Sequence, residues 1–344
     1  MKIFSLLVAL SIAIPTFAVP GLLCGGNKVV NPNRAGFSFP NRFTTDQPAS
    51  SIQPGQDCLW TVMVPPGKYA KVEAVGKIGS GNQNIQAMYG GGYIDASSEE
   101  NLIPYFFPAP RFNLRFYAAP DSVDAFSFRI TWANLPDSGS AYYVDKDNVM
   151  VRNASSFGES TILWADNSVS VVVIPADPNN IKTLRSTLVY DGSADAPFMG
   201  TLLTVAQTGK QMFSLGQVLT VVDLNPTNRP QDLVLVQDYS NTVDYRNYVG
   251  IACDGNGFCN SDAFAGDTMK TVYISASKAK DTLTKVTMAD DATFTVYNGT
   301  INPKNLIASY NSKTLQSALP LSFDGYIKQY VIDKSASKLE IIRK

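Results

Sequence analysis

The stretch Ala125-Phe126-Ser127-Phe128-Arg129-Ile130-Thr131-Trp132 alternates without interruption. Phe126, Phe128, Ile130 and Trp132 fall on one side of an extended chain, with Ser127, Arg129 and Thr131 on the other. A period of two sustained over this length specifies a β-strand with one buried face, because a helix would need its apolar residues about 3.6 positions apart. Upstream, Arg111-Phe-Asn-Leu-Arg-Phe-Tyr117 places Phe112, Leu114 and Phe116 together in the same way. Cys58-Leu-Trp-Thr-Val-Met-Val64 aligns Cys58, Trp60, Val62 and Val64 before Pro65-Pro66-Gly67 stops the strand. A half-cystine beside an inward tryptophan suits the core of a β-sandwich.

The same grammar continues to the end of the chain with more β-branched residues, in Ser168–Pro175, Asp232–Gln237, Thr271–Ser275 and Thr293–Tyr297. Clusters of Gly, Pro, Asn and Asp separate these runs. Only Ala276–Thr284 or Leu315–Leu319 could hold a short helix, and neither keeps a 3.6 period. The fold class expected is all-β.

A turn recurs within this pattern. Leu188-Val-Tyr-Asp-Gly192 has relatives in Gln86-Ala-Met-Tyr-Gly-Gly-Gly92 and Phe294-Thr-Val-Tyr-Asn-Gly-Thr300, and the three tyrosines stand 101 and 107 residues apart. A strand that ends in such a turn needs a residue tolerant of positive φ, which glycine supplies. One such turn per sandwich implies three units of about 100 residues, a common domain size; the alternative is chance recurrence of a simple pattern. The expected division is residues 1–18, 19–135, 140–246 and 250–344. The linker Asn134-Leu-Pro-Asp-Ser-Gly-Ser140 marks the first boundary more firmly than anything marks the second.

Met1 and Lys2 precede an apolar run, Ile3–Ile14, then Pro15 and Thr16-Phe17-Ala18. This reads as a signal peptide cleaved after Ala18, since the run is shorter than the roughly 20 residues that span a bilayer. Export is expected, with no transmembrane segment. Asn153-Ala-Ser155 and Asn298-Gly-Thr300 are glycosylation acceptors for that compartment, whereas proline disqualifies Asn225-Pro-Thr227. Four cysteines in an exported chain, grouped as Cys24 with Cys58 and Cys253 with Cys259, point to two disulfides. Sequence alone leaves their connectivity open. On the loop-entropy model the longer bridge would stabilise by roughly 3.5 to 4 kcal/mol and the shorter by about 2.

The signal peptide, the lone Cys24, Cys58-Leu-Trp60 with Val62 and Pro65-Pro66-Gly67, and the closing Phe126–Trp132 resemble the nematode CUB-like domain proteins. The resemblance covers roughly residues 20 to 135, and Leu188–Gly192 is similar to a turn of ordinary CUB domains. It implies tandem jelly-roll β-sandwiches of CUB-like type, export, and often a part in innate immune defence against pathogens. Ordinary CUB domains carry two disulfides and many hold calcium; the first unit here has one candidate bridge and no evident acidic set.

The chain contains no histidine, so Ser-His-Asp and Cys-His catalysis and histidine-ligated zinc are excluded. With a net charge of −1 and no long charge runs, it is not expected to bind nucleic acid. Paired carboxylates at Glu99-Glu100, Asp145 with Asp147, and Asp290-Asp291 could serve glycoside hydrolysis, but their polar contexts read better as solvated turns. Asp254-Gly-Asn256 starts like a calcium loop, yet Phe258 and Ala265 occupy positions that need oxygen ligands. No metal or other cofactor is expected.

Alternation directs Arg111, Arg115, Arg129 and Tyr117 outward. If their strands pair, they form a basic stripe able to meet carboxylates or sulfates; otherwise they are solvated sheet faces. Tyr105-Phe106-Phe107 reads as buried strand in preference to an exposed anchor. The function expected is that of a secreted, non-enzymatic protein binding an extracellular glycan or protein ligand. The alternatives are a matrix structural protein, whose low-complexity repeats are missing from this sequence, and a carboxylate-dependent glycosidase.

Overall fold

A computed structural model describes residues 21–344 except 80–83, 91, 122–123, 158–159, 226–231, 246, 263–269, 335 and 344. The proposed signal peptide, residues 1–18, lies outside the described residues. Among them the strands form six sheets in three consecutive pairs. The first five-stranded sheet runs, in spatial order, Asn27–Val30, Asp57–Met63, Arg111–Tyr117, Ile85–Tyr89 and Gly92–Ser97. Its partner runs Phe37–Phe39, Asp124–Asn134, Lys68–Lys77 and Glu99–Asn101, with Ser51–Ile52 and Tyr105–Pro108 paired alongside.

The second pair consists of Ser138–Tyr143, Ser160–Trp164, Val218–Asp223, Thr187–Asp191 and Phe198–Thr201 over Met150–Asn153, Leu233–Asp238, Val169–Ile174 and Met212–Phe213. The third consists of Asn247–Gly250, Thr271–Ala276, Ile327–Ile332, Thr293–Asn298 and Leu306–Asn311 over Phe258–Asp262, Ala336–Arg343, Asp281–Met288 and Leu321–Phe323. Each five-stranded sheet begins with one parallel pair, and its remaining pairings are antiparallel. Counted from the start of its own segment, every main strand occupies the same place in all three sandwiches. The chain is an all-β array of sandwiches.

Tyr89, Tyr190 and Tyr297 hold equivalent places in this order, each near the end of the fourth strand of its sheet. In each case an irregularity in register falls one or two residues before or at the tyrosine. The chain then turns through Gly90, Gly192 or Gly299, at φ values of 58°, 107° and 99°. Any residue with a Cβ would be strained at these angles, so the repeated glycine follows from the repeated turn.

In the first sandwich alternation translates directly into burial. Trp60 is fully buried, with its ring 4.8 Å from Phe128 in an edge-to-face arrangement and 5.0 Å from Phe39. Each such side chain contributes about 1.5 to 3 kcal/mol by leaving water. The Cys24–Cys58 disulfide, both sulfurs buried in the same core, ties the segment before the first strand to the second. Cys253 is bonded to Cys259 across the loop that Asp254 closes by accepting from the Asn256 and Phe258 amides.

The later sandwiches break the alternation. Val169–Ile174, Thr271–Ala276 and Ile327–Ile332 are buried at every position. Val169, Val171 and Val173 point into the core of the second sandwich, where Leu203 and Leu219 lie. Their neighbours Val172 and Ile174 pack instead against Tyr248, Val272, Ile274 and Val331 of the third. These strands are covered on both faces, so successive residues are buried whichever side they point to, including polar ones such as Ser275, Lys328 and Gln329.

Of two short helices, the first departs from the sequence expectation and the second falls at one of its two candidates. Leu202–Thr208 (α1) buries Leu202, Leu203 and Val205 and ends at Gly209 in the left-handed conformation. Leu202, Val205 and Ala206 stand at helical spacing, but seven residues are too few for that period to stand out in the sequence, and packing against the second core fixes the helix. Ser312–Ala318 (α2) opens with a capping box made by Asn311 and Thr314, and overlaps the Leu315–Leu319 candidate. Ala276–Thr284 is not helical: Ala276 ends one strand and Asp281 begins another. The linker expected over 134–140 is also shorter, since Asn134 belongs to one strand and Ser138 to the next.

Gly250 lies where the second and third sandwiches touch. A Cβ there would clash with the Val173 carbonyl oxygen and sit 2.8 Å from Ile174 Cγ1. Gly250→Ala is therefore expected to destabilise by about 1 to 3 kcal/mol through overpacking. Denaturant unfolding would measure the loss, and an unchanged midpoint would contradict this close approach.

Candidate functional site

Arg111, Arg115 and Tyr117 share the outward face of the strand Arg111–Tyr117, whereas Arg129 lies on Asp124–Asn134 in the opposite sheet. The two strands do not pair, so the four side chains do not make one stripe. Two sheet layers, about 10 Å apart, separate Arg129 from the others. The physical reason is the sandwich topology, which sends these two long strands to different sheets. Arg115 is also committed to Asp57 through a two-pronged contact at 2.9 and 2.7 Å, which holds the Asp57 carboxyl below the usual range. Tyr105, Phe106 and Phe107 are buried, with Phe106 turned toward the second sandwich.

Glu100 is buried where a solvated turn was expected. The loop and 3-10 helix Ile181–Ser186 carry Arg185 into the junction between the first and second sandwiches, where it is 1% exposed. Its Nη1 and Nη2 donate to the two Glu100 oxygens at 2.7 and 2.9 Å, and its Nε donates to Asp95 Oδ2 at 2.7 Å. Gln207 Nε2 donates to Asp95 Oδ1 at 3.2 Å, Lys182 Nζ lies 3.2 Å from Glu100, and the Tyr105 hydroxyl donates to Glu100 at 2.9 Å. The guanidinium stacks 3.8 Å above the Tyr105 ring. Every strong donor and acceptor of this cluster is therefore used inside the protein, which makes it a junction and leaves no carboxylate to act on a substrate. Sequence reading missed it because its members come from two sandwiches.

Burial alone would push the Glu100 carboxyl up, but Arg185, then Lys182 and Tyr105, hold it below its ordinary range. Burial pushes the Tyr105 hydroxyl far up. Asp281 forms a comparable buried group in the third sandwich, with Lys328 at 3.4 Å, Arg343 at 3.0 Å and the Tyr330 hydroxyl at 3.1 Å.

A pair of exposed aromatic side chains lies on the second sandwich. Tyr142 and Leu163 turn toward its core, so their neighbours Tyr143 and Trp164, paired across the parallel edge strand, turn out. Both are 43% exposed, with ring centroids 4.5 Å apart. The Tyr143 hydroxyl donates to Asp166 Oδ2 at 3.0 Å, a contact that raises its pKa. Gln217 Nε2 donates to the Asp166 carbonyl at 2.7 Å. Flat aromatic faces next to a carboxylate and an amide offer both the apolar and the hydrogen-bonding contacts that a sugar ring presents. The alternation Leu163 in, Trp164 out was the signal in the sequence that could have found this pair.

Three family models match the chain. Residues 21–136 match the CUB-like domain family, so the chain contains a CUB-like domain. Residues 144–224 and 217–344 match two domains of unknown function, DUF7592 and DUF7591. The overlap of those two matches falls inside the second sandwich, across its strand Val218–Asp223. No curated protein matches the chain. Among solved structures, the CUB1-EGF-CUB2 domains of rat MASP-1 are 7% identical, with 61% of this chain and 100% of that chain covered and a TM-score of 0.26. The full extracellular region of zebrafish Gpr126/Adgrg6 is 9% identical, with 94% and 53% covered and a TM-score of 0.27. At those scores neither likeness bears on function. The CUB-like domain and the two disulfides are consistent with an extracellular protein, and among the described residues no helix is long and apolar enough to cross a membrane.

Arg185→Ala would leave Asp95 and Glu100 buried without their cation. A loss of about 3 to 5 kcal/mol is expected, since breaking one side of a buried ion pair strands the other. Calorimetry or denaturant unfolding reads it, and a loss within 0.5 kcal/mol, on the order of an exposed pair, would contradict the buried geometry. Acid should act on the same junction. Because the Glu100 pKa is depressed in the fold, its contribution is present above the ordinary carboxyl value of about 4.3 and is lost as pH falls through the lowered one. Hydrogen exchange at residues 95–101 and 181–186 is expected to rise below about pH 4 before that of the Trp60 core. Simultaneous opening of both regions would argue against a separately titrating junction.

Proposed function

We propose that the protein is a secreted, non-enzymatic binding protein whose ligand is an extracellular glycan, met by the exposed Tyr143–Trp164 pair. That pair carries the reading. The couple is exposed, stands on a sandwich edge and is flanked by Asp166 and Gln217, so flat apolar faces and hydrogen-bonding groups lie together at the surface. The buried carboxylates weigh against a glycosidase: Asp95 and Glu100 are paired with Arg185, and Asp281 with Lys328 and Arg343.

The same reading takes the chain as three tandem CUB-like sandwiches over 19–135, 140–246 and 250–344, released after removal of residues 1–18. A defence role at a surface met by pathogens rests on the resemblance of residues 20 to 135 to the nematode CUB-like proteins. Asn298 is exposed on its turn, and the Ser155 hydroxyl donates to Asn153 Oδ1 at 2.7 Å, so both asparagines are proposed to carry glycans. Mass spectrometry of the exported protein should find Val19 at its start and sugars on Asn153 and Asn298; an intact Met1 would refute export by this route.

The decisive experiment is a glycan and bacterial-surface array probed with the wild-type protein and Trp164→Ala. Loss of a stacking ring should weaken binding by about ten-fold, equivalent to roughly 1.4 kcal/mol, with little change in melting temperature. Equal binding by the variant would remove the pair from the site, and a wild-type protein that binds nothing on the array would defeat the glycan reading itself.

A further inference from the structure

A second surface lies between the first and second sandwiches, away from the Tyr143–Trp164 edge. A cleft of about 450 Å³ opens there, within the range of ligand pockets, and its floor and walls include Tyr89, Tyr190, Phe198, Pro110, Pro197 and Asp195. Two of the three turn tyrosines thus meet across one junction. Phe198 stands edge-on to both, with ring centroids 4.9 Å from Tyr89 and 5.7 Å from Tyr190.

The hydrogen bonding of this cleft is incomplete in one specific place. The Tyr89 hydroxyl donates to the Ala109 carbonyl. The Tyr190 side chain is 1% exposed, yet among the described residues its hydroxyl has no hydrogen-bond partner. A buried hydroxyl left without a partner costs on the order of 1 to 3 kcal/mol, so its retention at the base of a cleft needs a reason. Burial raises its pKa, which keeps the proton on and the group a donor. Apart from the tyrosines, the ionisable lining residue among the described residues is Asp195, exposed at the mouth.

We propose that this cleft binds an extended, proline-rich peptide segment carrying a basic residue. Prolines have no N–H, and a polyproline II chain leaves its carbonyls free, so such a segment brings acceptors to a site whose unused group is a donor. An ordinary strand would bring N–H groups as well, and the lining side chains offer few acceptors for them. Pyrrolidine rings pack on aromatic edges and faces, the usual way in which aromatic-lined grooves take proline-rich segments. The Asp195 carboxylate at the rim complements a positive charge on the peptide and disfavours an acidic one.

The test is isothermal titration of the full-length exported protein with acetyl-Pro-Pro-Pro-Pro-Arg-amide and with a matched peptide bearing alanines in place of the prolines. Saturable one-to-one binding of the proline peptide is expected, with the alanine peptide about ten-fold weaker or worse. Tyr190→Phe should weaken binding about five-fold, the value of one neutral hydrogen bond. Asp195→Asn should remove most of its salt dependence. Since Tyr190→Phe deletes only a hydroxyl without a partner, its melting temperature should hold or rise, which separates lost binding from unfolding. Absence of saturable binding at millimolar peptide, equal affinity for the alanine peptide, or undiminished binding by Tyr190→Phe would each overturn the proposal.

Discussion

A guanidinium can be buried between two sandwiches only if every donor it carries is met, and Arg185 satisfies that condition with groups from both sides. Asp95, Glu100 and the Ile103 carbonyl come from the first sandwich, while Arg185 itself is positioned by the second. Such a cluster contributes less to stability than its short contacts imply, because desolvation offsets much of the Coulomb gain. Its stronger consequence is geometric. Misplacing either sandwich would leave charges buried and unpaired, so the cluster penalises other orientations. The orientation it favours brings Tyr89 beside Phe198 and Tyr190, and the cleft between the sandwiches follows from it.

The second junction is built differently. There the apolar residues Val172, Ile174, Val272 and Ile274 meet, and one buried polar link among several is Tyr248, which accepts from Gln237 of the second sandwich and donates to Gln329 of the third. Apolar burial supplies attraction without direction, and the buried hydroxyl between two amides supplies register. Three sandwiches with one strand order are thus joined by two junctions that both bury apolar side chains, the first around Phe106, Leu188 and Tyr190 with the Arg185 ion cluster added, the second around Val172, Ile174, Val272 and Ile274. The Tyr143–Trp164 pair lies toward one edge of the second sandwich's five-stranded sheet, and the proposed cleft lies at the first junction, toward the other edge, where Tyr190 and Phe198 stand.

Much of the candidate binding surface was hidden in the sequence for a definite reason. Tyr143 and Trp164 belong to different strands, and only the parallel pairing of those strands makes them neighbours. Arg129 and Arg115 looked alike by alternation, but alternation reports which side of its own strand a residue occupies and not which sheet the strand joins. Glu100 looked like a turn carboxylate because its counter-ion stands 85 residues away in the chain.

What the sequence determined by itself is what periodicity and local backbone chemistry control. The alternation of Phe126, Phe128 and Ile130 specified strands, the turn that recurs after Tyr89, Tyr190 and Tyr297 marked the same corner in three sandwiches, and glycine was required there because φ is positive. What the tertiary structure decided is everything that depends on two distant segments sharing a space. It turned Val169–Ile174 into a strand buried on both faces, made a helix of Leu202–Thr208, sent Arg115 and Arg129 to opposite sheets, and left the Tyr190 hydroxyl at the base of a cleft. The period of a strand is a property of consecutive residues, whereas burial of its second face depends on which neighbour arrives to cover it.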